Sequence, residues 1–463
     1  MGYLIVIFSY LLILIVVGLI LSKKSVKNSD DFTVAGRRLP FIVLVGTLLA
    51  TWCGGGGITG SANFIYSYGP FAGIIHFLGP PLGIIVLYWV AGKVRQTTTY
   101  TIPELFEQKY GPEARIIASV CIIIAYAGIV SSQFMAAGRI IALTTNVDQT
   151  LATVLAAVGI ILLTVSGGMV TVAYTDAIGA FVMVGGFLVA VPMLLGQVNL
   201  PGGIIANLPE GKNSFTAGLS GIQLLGYMLP SFFLILGDQN LMQRFSSAKD
   251  SNEAKKSNIG MFVAELVVIV TTIMIVTAGI FLIPNAAAPD TIIFQLAMNF
   301  LPFAFGALLM AACISFVVTT ADSFLLSAST NLTYDIWARF IKKDATDSDK
   351  LKFIRIVVVV LGILAFIMGM YFPSILSIQM YSYTMYGAAI TPALLCALFY
   401  KKVTKAGGIS GIITGGVLTI LWDAILKSPM NIRSALISVP LAFIVIFVVS
   451  ACTQPKASVQ KAV

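Results

Sequence analysis

An all-α, polytopic membrane fold of about 13 transmembrane helices is what this sequence predicts, and three observations predict it. Of the 463 residues, 58% are hydrophobic and only 10% are charged, where a soluble globular chain carries about a quarter charged residues. Apolar runs of about 20 residues recur from end to end, the length that lets a helix cross the hydrocarbon core of a bilayer. The short alternating segments of a membrane β-barrel are not visible, and a helix is then the element that satisfies its own backbone in lipid.

In chain order the spans fall at roughly 3–22, 41–68, 70–92, 116–145, 150–166, 171–195, 220–243, 258–283, 300–333, 353–371, 375–400, 407–425 and 434–451, to within several residues at each end. The first has no charged segment before it and no small-residue cleavage site after it, so it reads as a membrane helix rather than a signal peptide. Placing the N-terminus outside and the C-terminus in the cytoplasm puts all but four of the 28 basic residues on the inner side. Lys212, Lys427 and Arg433 lie outside, Arg139 lies within a span, and Arg244 falls in the inner loop with Lys249, Lys255 and Lys256. The positive-inside rule therefore fixes the orientation in a cell membrane. The net charge of +9 reflects that topology and calls for no nucleic-acid partner.

Between spans, "TYTIPELFEQKYG" (99–111) reads as an amphipathic interfacial helix. The outer loop 196–219, with "NLPGGIIANLPEGKNS", is turn-rich and has room for a short surface helix. No linker divides the chain, so 1–463 is one transmembrane domain. Cys53, Cys121, Cys313, Cys396 and Cys452 all fall in or beside apolar spans and read as packing thiols, without a disulfide or metal framework.

Two spans are interrupted. In "TWCGGGGITGSANF" (51–64) four glycines, Gly54 to Gly57, stand where a membrane helix should be most regular, each at a cost of roughly 1 kcal/mol relative to alanine. In "LLGYMLPSFFLILGDQNLMQRF", Pro230 is followed by Gly237, Asp238, Gln239 and Asn240. With 1–40 set aside as first helix and inner loop, 41–195 and 220–400 form two units of five spans, each opening on its broken member, and 401–463 adds two helices and a tail. Breaks in matching places point to a transporter's central site, where unwound backbone offers carbonyls to a cation and N–H groups to an anion. Close helix packing is the competing explanation of one glycine cluster; the second break favours function.

Five ordered motifs now carry a resemblance: "DFTVAGRRLP" (31–40), "LLATWCGGGGITGSANFIYSYG" (48–69), "GGMVTVAYTDAIGAF" (167–181), "GDQNLMQRFSSAKD" (237–250) and "SFVVTTADSFLLSASTNLTYDIW" (315–337). Over roughly 30–405 the chain resembles the sodium:solute symporter family. The resemblance implies a LeuT-type fold of two inverted five-helix repeats and sodium-driven uptake of a small organic solute, with sodium as coupling ion and no cofactor.

By the same resemblance, sodium is held by the carbonyls of Ala50, Cys53 and Phe316 and the hydroxyls of Thr319 and Thr320. A hard cation takes such oxygen ligands, although a lone threonine in a helix more often bonds back to its own backbone. A second sodium site, as some members have, would use Asp176, Thr319, Asp322 and Ser323. A carboxylate such as Asp322 deep in an apolar span is a functional candidate by default, whereas Asp176 could cap a helix beginning there.

The resemblance implies a solute contact at Trp52, in the broken segment with Gly54 and Gly55, and at His76; Gln133, Asp238, Gln239, Asn240 and Tyr383 are further candidates from facing helices. "ATWCGGG" and "VAYTD" lie nearest the choline-transporting branch. Choline needs an aromatic cage; Trp52 matches one wall, but Ile129 and Asp238 stand at two other aromatic positions, so the cage is not retained. Asp238 with His76 points instead to a polar, amine-bearing solute. A channel would show pore loops or charge rings. An enzyme would show a clustered nucleophile, acid–base pair or metal ligands, and one histidine without HExxH argues against it. Glu265 and Asp423, within spans and without an assigned role, keep proton-coupled symport open as a variant.

Overall fold

In a computed structural model, residues 2–25, 34–96, 101–145, 147–166, 169–372 and 374–454 are described. Asp31, Phe32 and Thr33 of the first motif, Thr99, Tyr100, Gly167 and Gly168, and the basic residues Lys27, Lys456 and Lys461 lie outside them. Among the described residues the chain is helical, with only an isolated bridge between Leu39 and Ala248.

After α1 (Gly2–Ser25), the first broken span comprises α2 (Phe41–Trp52) and α3 (Gly55–Tyr68). Then come α4 (Pro70–Phe77), α5 (Gly79–Gln96), the short inner helix α6 (Ile102–Tyr110), α7 (Pro112–Thr145), α8 (Gln149–Ser166) and α9 (Met169–Leu195). The second broken span is α10 (Gly221–Gly237) with α11 (Gln239–Ser246), followed by α12 (Ser251–Leu282) and α13 (Ile292–Asn299). α14 (Phe303–Thr330) runs on as a π-helix to Ile341, and α15 (Asp347–Gly369), α16 (Ile375–Ala389) and α17 (Thr391–Phe399) follow. α18 (Lys405–Thr419) and α19 (Ala435–Cys452) complete the bundle.

Ten described helices are long and apolar enough to cross a membrane, and the bent pair α2/α3, with 56° between its arms, makes eleven. Gly2–Leu14 and Gln149–Val165 are shorter apolar helices where the first and fifth of the thirteen expected spans lie.

Local chemistry sets the ends. Pro70 opens α4 after Gly69, whose φ of +89° and closeness to the Lys212 carbonyl (an added Cβ would lie 2.2 Å from its oxygen) require glycine. Ser220 and Gln223 form a capping box on α10, and Asp250 accepts from the Asn252 and Glu253 amides to start α12. Each satisfies donors that a helix start leaves open.

α14 is the axis of the molecule. Every residue from Leu309 to Thr330 is buried, and α7 and α9 pack along it. The outer helices show lipid-facing apolar stripes, such as Ile356, Val360, Ile363 and Ile367 on α15. The interior, by contrast, collects Asp, Glu, Arg, Thr and Ser. Buried ionisable groups in a membrane bundle mark pathways and sites.

Two local expectations change. The outer loop 196–219 carries only one 3-10 turn, Ile205–Asn207. Arg244 is not in the inner loop: helix resumes after Asp238, so Arg244 sits on α11, completely buried. The segment 102–110 is helical as expected, capped by Thr101. It is docked on its apolar side, where the Tyr110 hydroxyl donates to the Ala393 carbonyl at 2.8 Å.

Candidate ion and solute site

α2 ends at Trp52 and α3 starts at Gly55, so the turn at Cys53 and Gly54 lies in the middle of the first broken span. No side chain caps α3. The turn lies directly against α14. An added Cβ on Gly54 would stand 2.8 Å from Thr320 Cγ2, and one on Gly55 only 2.0 Å from Val317 Cγ2. The glycines thus permit contact, and contact brings oxygens together. Thr320 Oγ1 donates to the Ala50 carbonyl at 2.9 Å. Thr319 Oγ1 bonds back to the Ser315 carbonyl at 2.9 Å, with the Phe316 carbonyl at 3.5 Å. Thr320 thus meets the Ala50 carbonyl at the crossing beside Cys53, while the Thr319 hydroxyl and the Phe316 carbonyl are engaged within α14.

Asp176 lies inside α9, well past its start at Met169, so it is not a helix cap. Its Oδ2 accepts from Thr47 Oγ1 at 2.7 Å and from the Arg244 guanidinium at 3.1 Å. Arg244 also donates to Ser323 Oγ at 2.8 Å, to Thr47 Oγ1 at 3.0 Å and to the Asn240 carbonyl at 3.2 Å. Two members of the second ion set, Asp176 and Ser323, thus hold a guanidinium. One oxygen of Asp176 and one of Asp322 have no hydrogen-bond partner among the described residues.

On the other side of the break is a small cavity, about 40 Å³, lined by Trp52, His76, Ser231, Glu265, Gln379 and Tyr383 among others; that is space for a few water molecules. The Trp52 and Tyr383 rings stack with centroids 5.9 Å apart. Gln379 Nε2 donates to Tyr383 Oη at 2.9 Å, and His76 Nε2 lies 3.0 Å from Ser61 Oγ. Glu265 closes the cavity from α12: Oε1 accepts from Trp52 Nε1 at 3.1 Å and Oε2 from Cys53 Sγ at 2.7 Å.

The remaining candidates lie apart from this cavity. Gln133, on α7, faces the turn: its Nε2 would be 3.2 Å from a Cβ on Gly54. Asp238 caps α11 and accepts from the Tyr126 hydroxyl. Gln239 bridges four elements, donating to Ser327 Oγ at 2.9 Å and Asn331 Oδ1 at 2.7 Å and accepting from the Ile102 amide at 3.1 Å. Asn240, next to it, is buried on α11.

A family model matches residues 32–415, that of the sodium:solute symporter family. The chain belongs to this family. A sodium/proline symporter of Staphylococcus aureus (strain JH9) is 26% identical over 454 residues, covering 92% of this chain and 86% of the relative; that of strain N315 matches equally. A solved sodium-coupled sialic acid symporter, in a substrate-bound outward-open state, superposes with a TM-score of 0.83 at 19% identity, over 98% of both chains. Mhp1, a nucleobase-cation-symport-1 family transporter in a closed conformation, gives a TM-score of 0.59 at 12% identity, over 93% of this chain and 97% of the other. The fold is therefore LeuT-type, and the protein is a sodium-coupled symporter.

Several residues of this symporter to which the sequence assigned no role have partners in the fold. Glu265 was visible as an in-span carboxylate, but its partners are 213 and 212 residues away. Asp423, the other such carboxylate, accepts from Ser428 Oγ at 2.9 Å, from the Ser434 amide at 3.2 Å and from the Ser434 hydroxyl. It braces the turn between α18 and α19, away from the ion crossing. On the inner face Arg115 donates to Asp335 at 2.8 Å and to Glu107 at 2.5 Å, and Arg339 donates to Glu107 at 2.7 Å. Burial alone pushes the Glu107 carboxyl up, yet the hydrogen bonds from Arg339 and Arg115 bring it below its ordinary value. This clamp ties α6 to the start of α7 and the π-helix.

Proposed function

We propose that this symporter imports a small polar organic solute by alternating access, with sodium bound where the first broken span crosses α14. The observation that carries the reading is the Thr320 Oγ1–Ala50 carbonyl contact at 2.9 Å, next to a cavity that shares Cys53 and Trp52 with the broken segment. The ligands proposed are the carbonyls of Ala50, Cys53 and Phe316 and the hydroxyls of Thr319 and Thr320. Sodium would take the Ala50 carbonyl lone pair that now accepts from Thr320, together with hydroxyl lone pairs, and tie the broken helix to α14. The solute contacts proposed are Trp52, His76 and Tyr383, with Gly54, Gly55 and Gln133 at the turn; Asp238, Gln239 and Asn240 are read as holding the second break.

The relatives transport, by their names, proline and sialic acid; what we carry over is only the class of small polar organic solute. The motif likeness to the choline branch does not extend to a cage, since Asp238 is spent on the α11 cap. At the second ion set, Arg244 supplies positive charge between Asp176 and Ser323, and we propose one sodium per cycle. The two repeats are proposed at 41–195 and 220–400, with the N-terminus outside and the C-terminus cytoplasmic on the strength of the basic inner loops.

The test is uptake into proteoliposomes of solutes that raise the melting temperature of the purified protein, since a ligand of the folded state stabilises it by mass action. An inward sodium gradient should drive accumulation and its removal should abolish it. Accumulation driven by a proton gradient without sodium would instead establish the proton-coupled variant.

A further inference from the structure

We infer that the transported solute carries a protonated, N–H-bearing ammonium group and that Glu265 is its counter-ion; this rests on the solute cavity proposed above. Glu265 is 3% exposed and lines that cavity from α12. The ion pairs among the described residues engage Glu107, Glu113, Asp176, Asp290, Asp335, Asp347 and Asp349, and none reaches Glu265. A carboxylate inside a membrane bundle is expensive, and such groups pair with one another, with backbone, or with what passes through. Here the resident partners are one indole N–H and one thiol. An ionised carboxylate has about four acceptor positions, so two donors leave acceptor capacity on a group that lines the cavity.

The surroundings suit a cation. The stacked Trp52 and Tyr383 rings offer faces that attract positive charge. Indole N–H donation holds the edge of the Trp52 ring to the carboxylate, and both groups line the same cavity. Ser61, His76, Ser231 and Gln379 supply hydrogen-bonding groups for the uncharged part of a solute. A quaternary ammonium cannot donate to Glu265, whereas a primary or secondary one can; the free acceptor capacity favours the latter. A merely structural Glu265, holding Trp52 and Cys53 at the break, would need an acceptor but no charge. Glutamine tests that difference because it keeps an oxygen for the indole.

The experiment measures melting temperature of the full-length purified protein in sodium with ethanolamine, putrescine, L-proline, choline or myo-inositol, for wild type and Glu265→Gln. Expected is stabilisation of the wild type by at least one of the first three, weaker for choline than for ethanolamine and absent for myo-inositol. In Glu265→Gln the apparent affinity for that amine should fall at least about tenfold, with the sodium-induced shift retained. Equal amine affinity in the variant, stabilisation by myo-inositol alone, or stabilisation by no amine overturns the inference. Loss of the sodium shift in Glu265→Gln also overturns it, by assigning the carboxylate to the ion. Absence of a sodium shift in the wild type is a separate result and counts against the symport reading itself. Glu265→Asp, which keeps the charge, should retain part of the amine affinity; no rescue relative to glutamine would count against the counter-ion.

Discussion

At the first break α3 begins at Gly55 with no side-chain cap, and the Ala50 carbonyl takes its hydrogen bond from Thr320 on another helix. At the second, α11 begins under the Asp238 carboxylate, and the Gln239 amide donates to the hydroxyls of Tyr126 and Tyr386 at 3.1 and 3.0 Å. Tyr386 in turn donates to the Gly237 carbonyl at 2.8 Å. One break is bare backbone pressed against a neighbour; the other is filled by side chains that satisfy it permanently. The difference teaches that polar residues at a helix break are not by themselves ligands. They can serve the break, and we propose that the break lacking them leaves its oxygens to be completed by an ion.

Four changes would break or sharpen that contrast. The largest effect is expected from Arg244→Ala, which leaves Asp176 as a buried charge without its guanidinium, a loss of about 3–5 kcal/mol for a pair broken on one side. The expected outcome is little folded protein by size-exclusion and a strongly lowered melting temperature; near wild-type stability would mean that Arg244 does not hold the second break to α9. Next is Gly55→Leu. A side chain there meets Val317 Cγ2 at 2.0 Å from its first carbon, forcing α3 off α14, so sodium-dependent uptake should vanish. Val317→Ala in the same protein should restore part of it if contact with α14 is the cause.

A smaller effect is expected at the second break. Asp238→Asn keeps an oxygen for the Asn240 amide, and replacing a cap costs about 0.5–2 kcal/mol even when the acceptor is lost. Uptake should therefore fall by no more than severalfold with an unchanged sodium requirement, and complete loss of solute affinity would return Asp238 to the solute site. Smallest is the inner clamp. Glu107 has its carboxyl below the ordinary 4.5, so its contribution is complete above that value and is lost as pH falls through the lowered one. Hydrogen exchange along α6 should speed up in that acid window and, in Arg339→Ala, begin at higher pH.

The fold was legible because burial in lipid leaves a coarse pattern: long apolar runs, basic inner loops and two irregular spans at matching positions. The first break was legible because glycines Gly54 to Gly57 weaken a membrane helix and are matched by a second irregular span. Arg244 was misplaced since "QNLMQRF" looks like the polar end of a span, whereas the capped α11 continues inward and buries it. Glu265 could be seen but not interpreted, because its meaning lies in Trp52 and Cys53 across the bundle. Asp176 looked like a cap at a helix start; the helix begins earlier, at Met169, and partners on α2 and α11 define it.

The central claim is that bare backbone at the first break and hydroxyls on α14 make the sodium site. It is tested most directly by equilibrium binding of radioactive sodium to purified wild type, Thr319→Ala, Thr320→Ala and the double variant. Losing a hydroxyl ligand should weaken binding by about tenfold or more in each single variant, and the double variant should show no saturable binding. Wild-type binding should follow a hyperbola with a Hill coefficient near one, as a single ion requires when Arg244 occupies the second ion set. Unchanged sodium affinity in the double variant would contradict the account.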